Sequence, residues 1–204
     1  MTTELKERGF VHLTDQTEAQ LQIIVDSLGE TIMTTDVIVK AESKGLVTTS
    51  NGIDFHTDHH KAKYVVWYCY KQTDRGGESL ILDAEKIYLA LPLEIQEKLK
   101  SVNLFEHKIF SDDKDSYPFV DVDNSNTRQF HCSLVNDTDK ENPAYIFFRK
   151  VMSRTIPVKI KLAERDILII DNYRMFHGRT PIIGTKDRYL KRYWIKSKTI
   201  NHNN

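Results

Sequence analysis

Eight short runs of β-branched and aromatic residues constrain this chain more than any other feature. They fall at Val37–Ala41, Lys63–Tyr70, Ser79–Leu82, Gln129–Val135, Tyr145–Arg149, Ile156–Leu162, Ile167–Ile170 and Arg188–Lys196. Residues of this kind suit a pleated, half-buried surface, so each run reads as a strand. Two stretches carry helical spacing instead. Ala19–Leu28 has apolar residues at 21, 24, 25 and 28, and Ala84–Val102, interrupted at Pro92, follows the N-cap Asp83 and lines up Ile95, Leu99 and Val102. The chain reads as mainly β with flanking helices. Strands so short and numerous fit a jelly roll or barrel, and a sandwich without a central site has the same count.

With 204 residues, 40% of them hydrophobic, the chain is expected to form a single domain over 1–204 with a sizeable core. The one shift in composition is "SDDKDSYPFVDVDNSNT" at 111–127, acidic and turn-rich, which reads as an exposed loop or lid. Lys+Arg and Asp+Glu are both 29, so no net field draws nucleic acid or an anionic membrane, and neither is an expected partner. The N-terminus has no apolar signal core, and runs such as Ile167–Ile170 are too short to span a bilayer. The expectation is a soluble, cytoplasmic protein. Cys69 and Cys132 form no CxxC pattern and read as packed, reduced thiols.

Chemistry concentrates at Asn51–Tyr70, "NGIDFHTDHHKAKYVVWYCY", which holds three of the 8 histidines. In extended backbone, His56 and Asp58 share a face and Thr57 takes the other, so an imidazole and a carboxylate can converge on one ion. A first-row metal that activates oxygen is held by two histidines and one carboxylate. The third ligand has to come from His12, His59, His60, His107, His131, His177 or His202. His177 stands out because it follows the buried-looking "DILIID", with Gly178 permitting a tight turn and Pro181 stopping regular structure. HxD is also a common chance tripeptide, and a histidine that only caps a strand looks the same. Further on, "RYLKRYWIK" puts Arg188, Leu190, Arg192 and Trp194 on one face. Buried arginines need an anion, either an internal carboxylate or that of a bound small molecule.

Taken together, His56-Thr57-Asp58, Gly76-Gly77-Glu78-Ser79, the segment from Asp171 to Arg179, and Arg188 with Arg192 resemble the taurine dioxygenase and clavaminate synthase branch of the iron(II)/2-oxoglutarate-dependent oxygenases. The likeness extends through most of the chain: "ERGFVHL" and "LQIIVDSLGE" resemble the branch's opening strand and helix. It implies a double-stranded β-helix, a cupin-like jelly roll, with Fe(II) held by His56, Asp58 and His177. Arg188, eleven residues after His177 as in that family, would anchor the far carboxylate of 2-oxoglutarate, assisted by the Ser79 hydroxyl where the family has Thr. Arg192 matches the family's second arginine, which contacts either cosubstrate or substrate.

The activity so implied is hydroxylation of an unactivated C–H bond of a small metabolite, using O2 and releasing succinate and CO2. The retained Asp58 disfavours halogenation, because related halogenases have a small residue there. The preferred substrate is an amino acid or an amino-acid-derived biosynthetic intermediate, free or carrier-tethered. A cupin-like metalloenzyme that does not use 2-oxoglutarate and a non-catalytic small-molecule binder are the alternatives. His59 and His60 read as supporting or surface residues, and Trp67, Tyr68 and Tyr70 as strand packing. Asp112, Asp113, Asp115, Asp121 and Asp123 read as a solvated loop. Arg174 and Arg179 read as partners of carboxylates such as Asp171, and Asn51, Asp54 and Arg128 as substrate contacts.

Overall fold

The computed structural model describes residues 1–39, 48–123, 127–134, 139–185 and 187–197. In chain order the elements are α1 (Thr2–Arg8), β1 (Phe10–Leu13), α2 (Glu18–Leu28), β2 (Gly29–Ile38), β3 (Ile53–His56), β4 (Tyr64–Lys71), β5 (Ser79–Asp83), α3 (Ala84–Leu89), α4 (Leu93–Leu99), β6 (Asn103–Phe105), β7 (Ser116–Pro118), β8 (Val120–Val122), β9 (Arg128–Phe130), α5 (Pro143–Met152), β10 (Val158–Ile160), β11 (Ile167–Asp171), β12 (Met175–Arg179) and β13 (Tyr189–Ser197). No described helix is long and apolar enough to cross a membrane.

Two antiparallel sheets form the jelly roll, one ordered β1-β11-β4-β13-β2 and the other β10-β5-β12-β3. The alternation of side chains explains why β11 and β4, in the middle of the first sheet and covered on both faces, are apolar at nearly every position. Leu168 and Ile170 of β11, with Val65 and Cys69 of β4, face the second sheet and meet Ile81 and Met175. Ile167 and Ile169, with Val66 and Tyr68, face outward and meet Leu5 of α1 and Leu21 and Val25 of α2. A third apolar layer lies outside the second sheet, where Phe176 and Leu82 pack under α3, α4 and α5. The metal-ligand candidates therefore sit between two sheets that are each backed by helices.

Local chemistry sets the helix boundaries. Thr17 and Gln20 form a reciprocal capping box at the start of α2, and the Asp83 side chain accepts from the Lys86 amide to start α3. Pro92 ends the expected Ala84–Val102 helix early and splits it into α3 and α4. One expected strand is a helix: Tyr145–Arg149 lies inside α5. Asn142 caps its first turn, Pro143 occupies the first position, and Ala144, Tyr145, Phe148 and Met152 are buried on one side while Ile146 and Phe147 are exposed. Capping and a core-facing stripe override the strand preference of the aromatic residues.

Other expected strands shift. β2 begins at Gly29, well before the expected Val37; among the described residues it is an edge strand paired to β13 alone, and most of its side chains are not buried, so no apolar run marks its start. The ends of the expected Val37–Ala41 and Gln129–Val135 strands, and His202, lie outside the described residues. The 111–127 stretch is exposed at Asp112, Asp115 and Asp121, as expected, but it is not merely a solvated loop. It contains β7 and β8, Phe119 is fully buried against Phe148 and Phe176, and Asp113 is buried. Residues 124–126 of that stretch also lie outside the described residues. Cys69 and Cys132 are both buried and free, and burial pushes the Cys69 thiol up to about 12, which keeps it protonated.

Candidate metal centre and its two pockets

Strand register brings the two histidines together. His56 at the end of β3 and His177 in β12 are direct cross-strand partners, with ring centroids 4.2 Å apart. His177 is thus within a strand rather than at its mouth, and the turn falls earlier, at residues 172–174. Gly178 does not make a turn; it is needed because β3 passes so close that a Cβ there would lie 2.6 Å from the Ile53 carbonyl oxygen. Asp58 follows β3 by two residues. Its carboxylate Oδ1 is 4.0 Å from His56 Nε2 and 3.9 Å from His177 Nε2.

The donor set suits a divalent ion. The His56 Nδ1–H donates to the Asp54 carbonyl at 2.9 Å, which leaves Nε2 as a lone pair aimed at the cluster. Burial lowers the pKa of both imidazoles, and for His177 the neighbouring His56 adds to the effect, so both are neutral near pH 7. Burial pushes the Asp58 carboxyl up, but the Arg192 guanidinium beside it, with the hydrogen bond from Trp194, favours the carboxylate and holds it below its ordinary value. Two neutral imidazoles and one carboxylate, with their donor atoms within 4.8 Å of one another, can hold one ion. Cis ligands at bond lengths of ~2.1 Å lie ~3 Å apart, a spacing that small side-chain rotations reach.

Around this cluster the supporting contacts are specific. Arg192 Nη1 donates to Asp58 Oδ1 and Trp194 Nε1 to Oδ2, each at 2.8 Å. A carboxylate oxygen has two lone-pair directions, so Oδ1 keeps one for an ion. Asn172, only 1% exposed, accepts from the Asp58 amide at 2.8 Å, and its side-chain amide donates to the carbonyls of Asp58, His59 and Ala62. This residue fixes the backbone that carries Asp58. Nothing in its sequence spacing marks that role, because the partner segment is distant in the chain. Trp67, expected only as packing, meets the His177 ring edge-on at 5.0 Å.

Two pockets open from the cluster. The first is walled by the strands and lined by His56, His177, Ser79, Arg179, Arg188 and Arg192. Gly76 and Gly77, both at positive φ, make the turn that aims β5 and Ser79 into this wall. Arg188 is 3% exposed, and its one hydrogen bond is to Gln72 at 3.2 Å, with no carboxylate beside it among the described residues. Burial and the nearby Arg179 pull its guanidinium down to about 10, still charged at neutral pH. A buried cation in such surroundings favours an anionic ligand. The second pocket is lined by Asp58, Glu106, His131, Trp194 and, again, Arg192. Arg192 is thus a wall of both.

Some expected roles change. Arg174 pairs with Asp83 at 2.6 Å and lies near Glu85, while Asp171 pairs with Lys63 at 2.7 Å. Arg179 hydrogen-bonds the carbonyls of Thr49 and Asn51 and helps line the first pocket. Arg128 pairs with Glu85 at 3.2 Å. His60 bonds Glu106, and His59 bonds Asp113 at 2.9 Å, so neither reaches the cluster as a fourth ligand.

Comparison with known proteins agrees with this architecture. Residues 2–194 match the family model described as taurine catabolism dioxygenase TauD, TfdA family. Among solved structures, an asparagine oxygenase in complex with Fe(II), 2S,3S-3-hydroxyasparagine and succinate is similar with a TM-score of 0.74 and 14% identity, over 95% of this chain and 77% of the other. The non-heme iron oxygenase OrfP in complex with Fe and alpha-ketoglutaric acid gives 0.70 and 16%, over 96% and 77%. AAD-2 in complex with Mn(II) and N-oxalylglycine gives 0.76 and 14%, over 97% and 88%.

Proposed function

Because this chain belongs to the TauD/TfdA family of iron(II)/2-oxoglutarate-dependent dioxygenases, we propose that it hydroxylates a C–H bond of an amino acid or a small amino-acid-derived molecule. The observation that carries the reading is the pairing of a neutral His56, Asp58 and His177 cluster with a buried, carboxylate-free Arg188 in the adjoining pocket. The asparagine oxygenase structure in complex with 3-hydroxyasparagine and an OrfP structure in complex with (3S)-hydroxy-L-Arg support the substrate class by analogy.

In this reading His56, Asp58 and His177 hold iron(II), and Arg188 with the Ser79 hydroxyl grips the far carboxylate of 2-oxoglutarate. Bound iron with 2-oxoglutarate and O2 supplies the oxidising power: the cosubstrate loses CO2 and takes one oxygen atom to become succinate, and the other enters the substrate C–H bond as hydroxyl. The protein's part is positioning and shielding. The Asp54 carbonyl keeps the proton of His56 on Nδ1, and Trp194 and Arg192 hold the Asp58 carboxylate in one orientation. Val37, Trp67, Leu168 and Leu190 line the strand-walled pocket and exclude water from it.

The experiment that tests this is anaerobic titration of the apoprotein with iron(II) and then 2-oxoglutarate, followed by the weak visible charge-transfer band of a chelated 2-oxo acid. The band is expected in the wild type, and in Arg188→Ala it requires much more 2-oxoglutarate. Metal-loaded wild-type protein without the band would overturn the oxygenase reading.

A further inference from the structure

The second pocket contains a carboxylate whose charge is not answered by any lysine or arginine among the described residues. Glu106, which follows β6, is 6% exposed, and among the described residues only histidines lie within 4.0 Å of its oxygens as basic groups. Its Oε1 accepts from the His60 amide at 3.0 Å, and Oε2 accepts from the His60 ring. Asp113, close by, is different: it is paired with Lys61 at 2.9 Å and accepts from His59 and from the Ile109 and Phe110 amides.

Proton accounting at the histidines shows what is missing. His59 donates from Nε2 to Asp113, and its Nδ1 accepts from the Lys61 amide at 3.3 Å, so both its ring nitrogens are used. His131, 3% exposed, directs Nε2 at the Phe105 carbonyl at 3.4 Å, a contact that only an N–H can make. Burial lowers its pKa, so the ring carries no second proton at neutral pH. Its Nδ1 is then a bare acceptor, buried and without a hydrogen-bond partner, 3.6 Å from Glu106 Oε1. Two acceptors face each other with no hydrogen between them, an arrangement that favours a donor able to bridge both. An N–H donor can stand within hydrogen-bond length, about 2.8–2.9 Å, of both atoms.

We propose that Glu106 and His131 form the receptor for a primary ammonium group of the substrate. The pocket they line also contains Asp58, Arg192 and Trp194, so a molecule anchored there lies beside the metal-ligand cluster. A single positive charge matches the single unanswered carboxylate. His59, His60 and Asp113 also lie close enough together to offer a metal-ligand group, but His59 and Asp113 are hydrogen-bonded to each other and Asp113 is paired with Lys61, so an ammonium is the better match to Glu106 and His131. The substrate class narrows accordingly to molecules with a free primary amine, whether their acid end is free or esterified. This rests on the oxygenase reading, since it takes the pocket beside the cluster to be the substrate's.

The test uses the wild-type protein, loaded anaerobically with iron(II) and 2-oxoglutarate, and watches the charge-transfer band while proteinogenic L-amino acids and their N-acetyl derivatives are added in turn. Expected is a shift of the band by at least one free amino acid and none by its N-acetyl form. Glu106→Gln, which keeps the shape and the acceptor for the His60 amide, should raise the concentration needed for that shift at least tenfold while leaving the band itself intact; Glu106→Asp should recover part of the loss. His131→Gln, with the carboxylate still present, should raise it a few-fold. Equal binding of N-acetyl derivatives, wild-type response in both Glu106→Gln and His131→Gln, or no response to any free amino acid overturns the ammonium receptor while the oxygenase reading stands. A second equivalent of iron bound by the wild type and lost in Glu106→Gln also overturns it, in favour of a metal site. Absence of the band in wild-type protein removes the oxygenase reading first, and this inference with it.

Discussion

The two pockets that share Arg192 are made from different material. The first is walled by strands, and the side chains that face it are set by register: His56 opposite His177, and Ser79 opposite Arg179. The second is walled by the segments after β6 and β9, where hydrogen bonds to buried polar groups do the holding: Asp113 to the Ile109 and Phe110 amides, Glu106 to His60, and Gln129 to the His60 carbonyl. A strand-built wall fixes chemistry by alternation, whereas a loop-built wall must satisfy each polar group individually. The difference teaches that one wall is ordered by strand register and the other by hydrogen bonds made one at a time.

The largest effect should come from His177→Ala, which removes a strand-held ligand. Iron-dependent 2-oxoglutarate consumption is expected to fall by ~10³-fold or more with an unchanged far-UV circular dichroism spectrum. Persisting activity would take this histidine out of the cluster. Next, Phe148→Ala tests whether the two walls share a foundation, since its ring packs against both Phe119 and Phe176. A loss of about 3–5 kcal/mol in denaturant unfolding is expected for a buried phenylalanine, and a loss under 1 kcal/mol would show that the walls are supported independently. Arg188→Ala should touch only the strand-built side. An increase of ~30-fold or more in the KM for 2-oxoglutarate, with the response to free amino acids retained once the cosubstrate is saturating, is the expected outcome. Equal damage to both would dissolve the distinction.

The smallest effect concerns acid. Burial pushes the Asp113 carboxyl up, but hydrogen bonds from Lys61, the Phe110 and Ile109 amides and His59 outweigh it and hold it well below the usual carboxylate range. A depressed folded-state pKa gives stability that is fully present above the unfolded value, about 3.9, and is lost as pH falls toward the folded one. Amide exchange at Ile109 and Phe110 should therefore speed up relative to β11 below about pH 4, and Lys61→Ala, which lets the folded-state pKa rise toward the unfolded one, should make that acid-dependent change smaller. Parallel behaviour of the loop amides and β11 throughout would mean that Asp113 does not hold the loop wall.

Legibility in the sequence follows the same division. The alternation in Arg188, Leu190, Arg192 and Trp194 does put all four inside, and His56, Asp58 and His177 do converge, because period-2 geometry and a motif survive in one dimension. His177 was nonetheless expected beside a turn, since a four-residue apolar run followed by "NYRMF" does not reveal that a second strand resumes at Met175. α5 was misread because aromatic residues favour strands until a cap and a core stripe decide otherwise. Asn172, Glu106 and His131 could not be assigned their contacts at all. Their meaning depends on segments that meet only through tertiary structure, and no local periodicity encodes a long-range hydrogen bond.

Asn172 carries a consequence for how the chain reaches its working state. It lies 114 positions from Asp58, and its side chain ties the β11–β12 turn to the backbone behind that carboxylate. The candidate ligand set therefore does not exist in any contiguous stretch of chain; it comes into being only when segments distant in sequence dock, a contact of high sequence separation. A metal held by His56, Asp58 and His177 would bind the folded molecule in preference to the unfolded chain and would draw the folding equilibrium forward by mass action. Occupancy of that cluster would then report that these two distant segments have met.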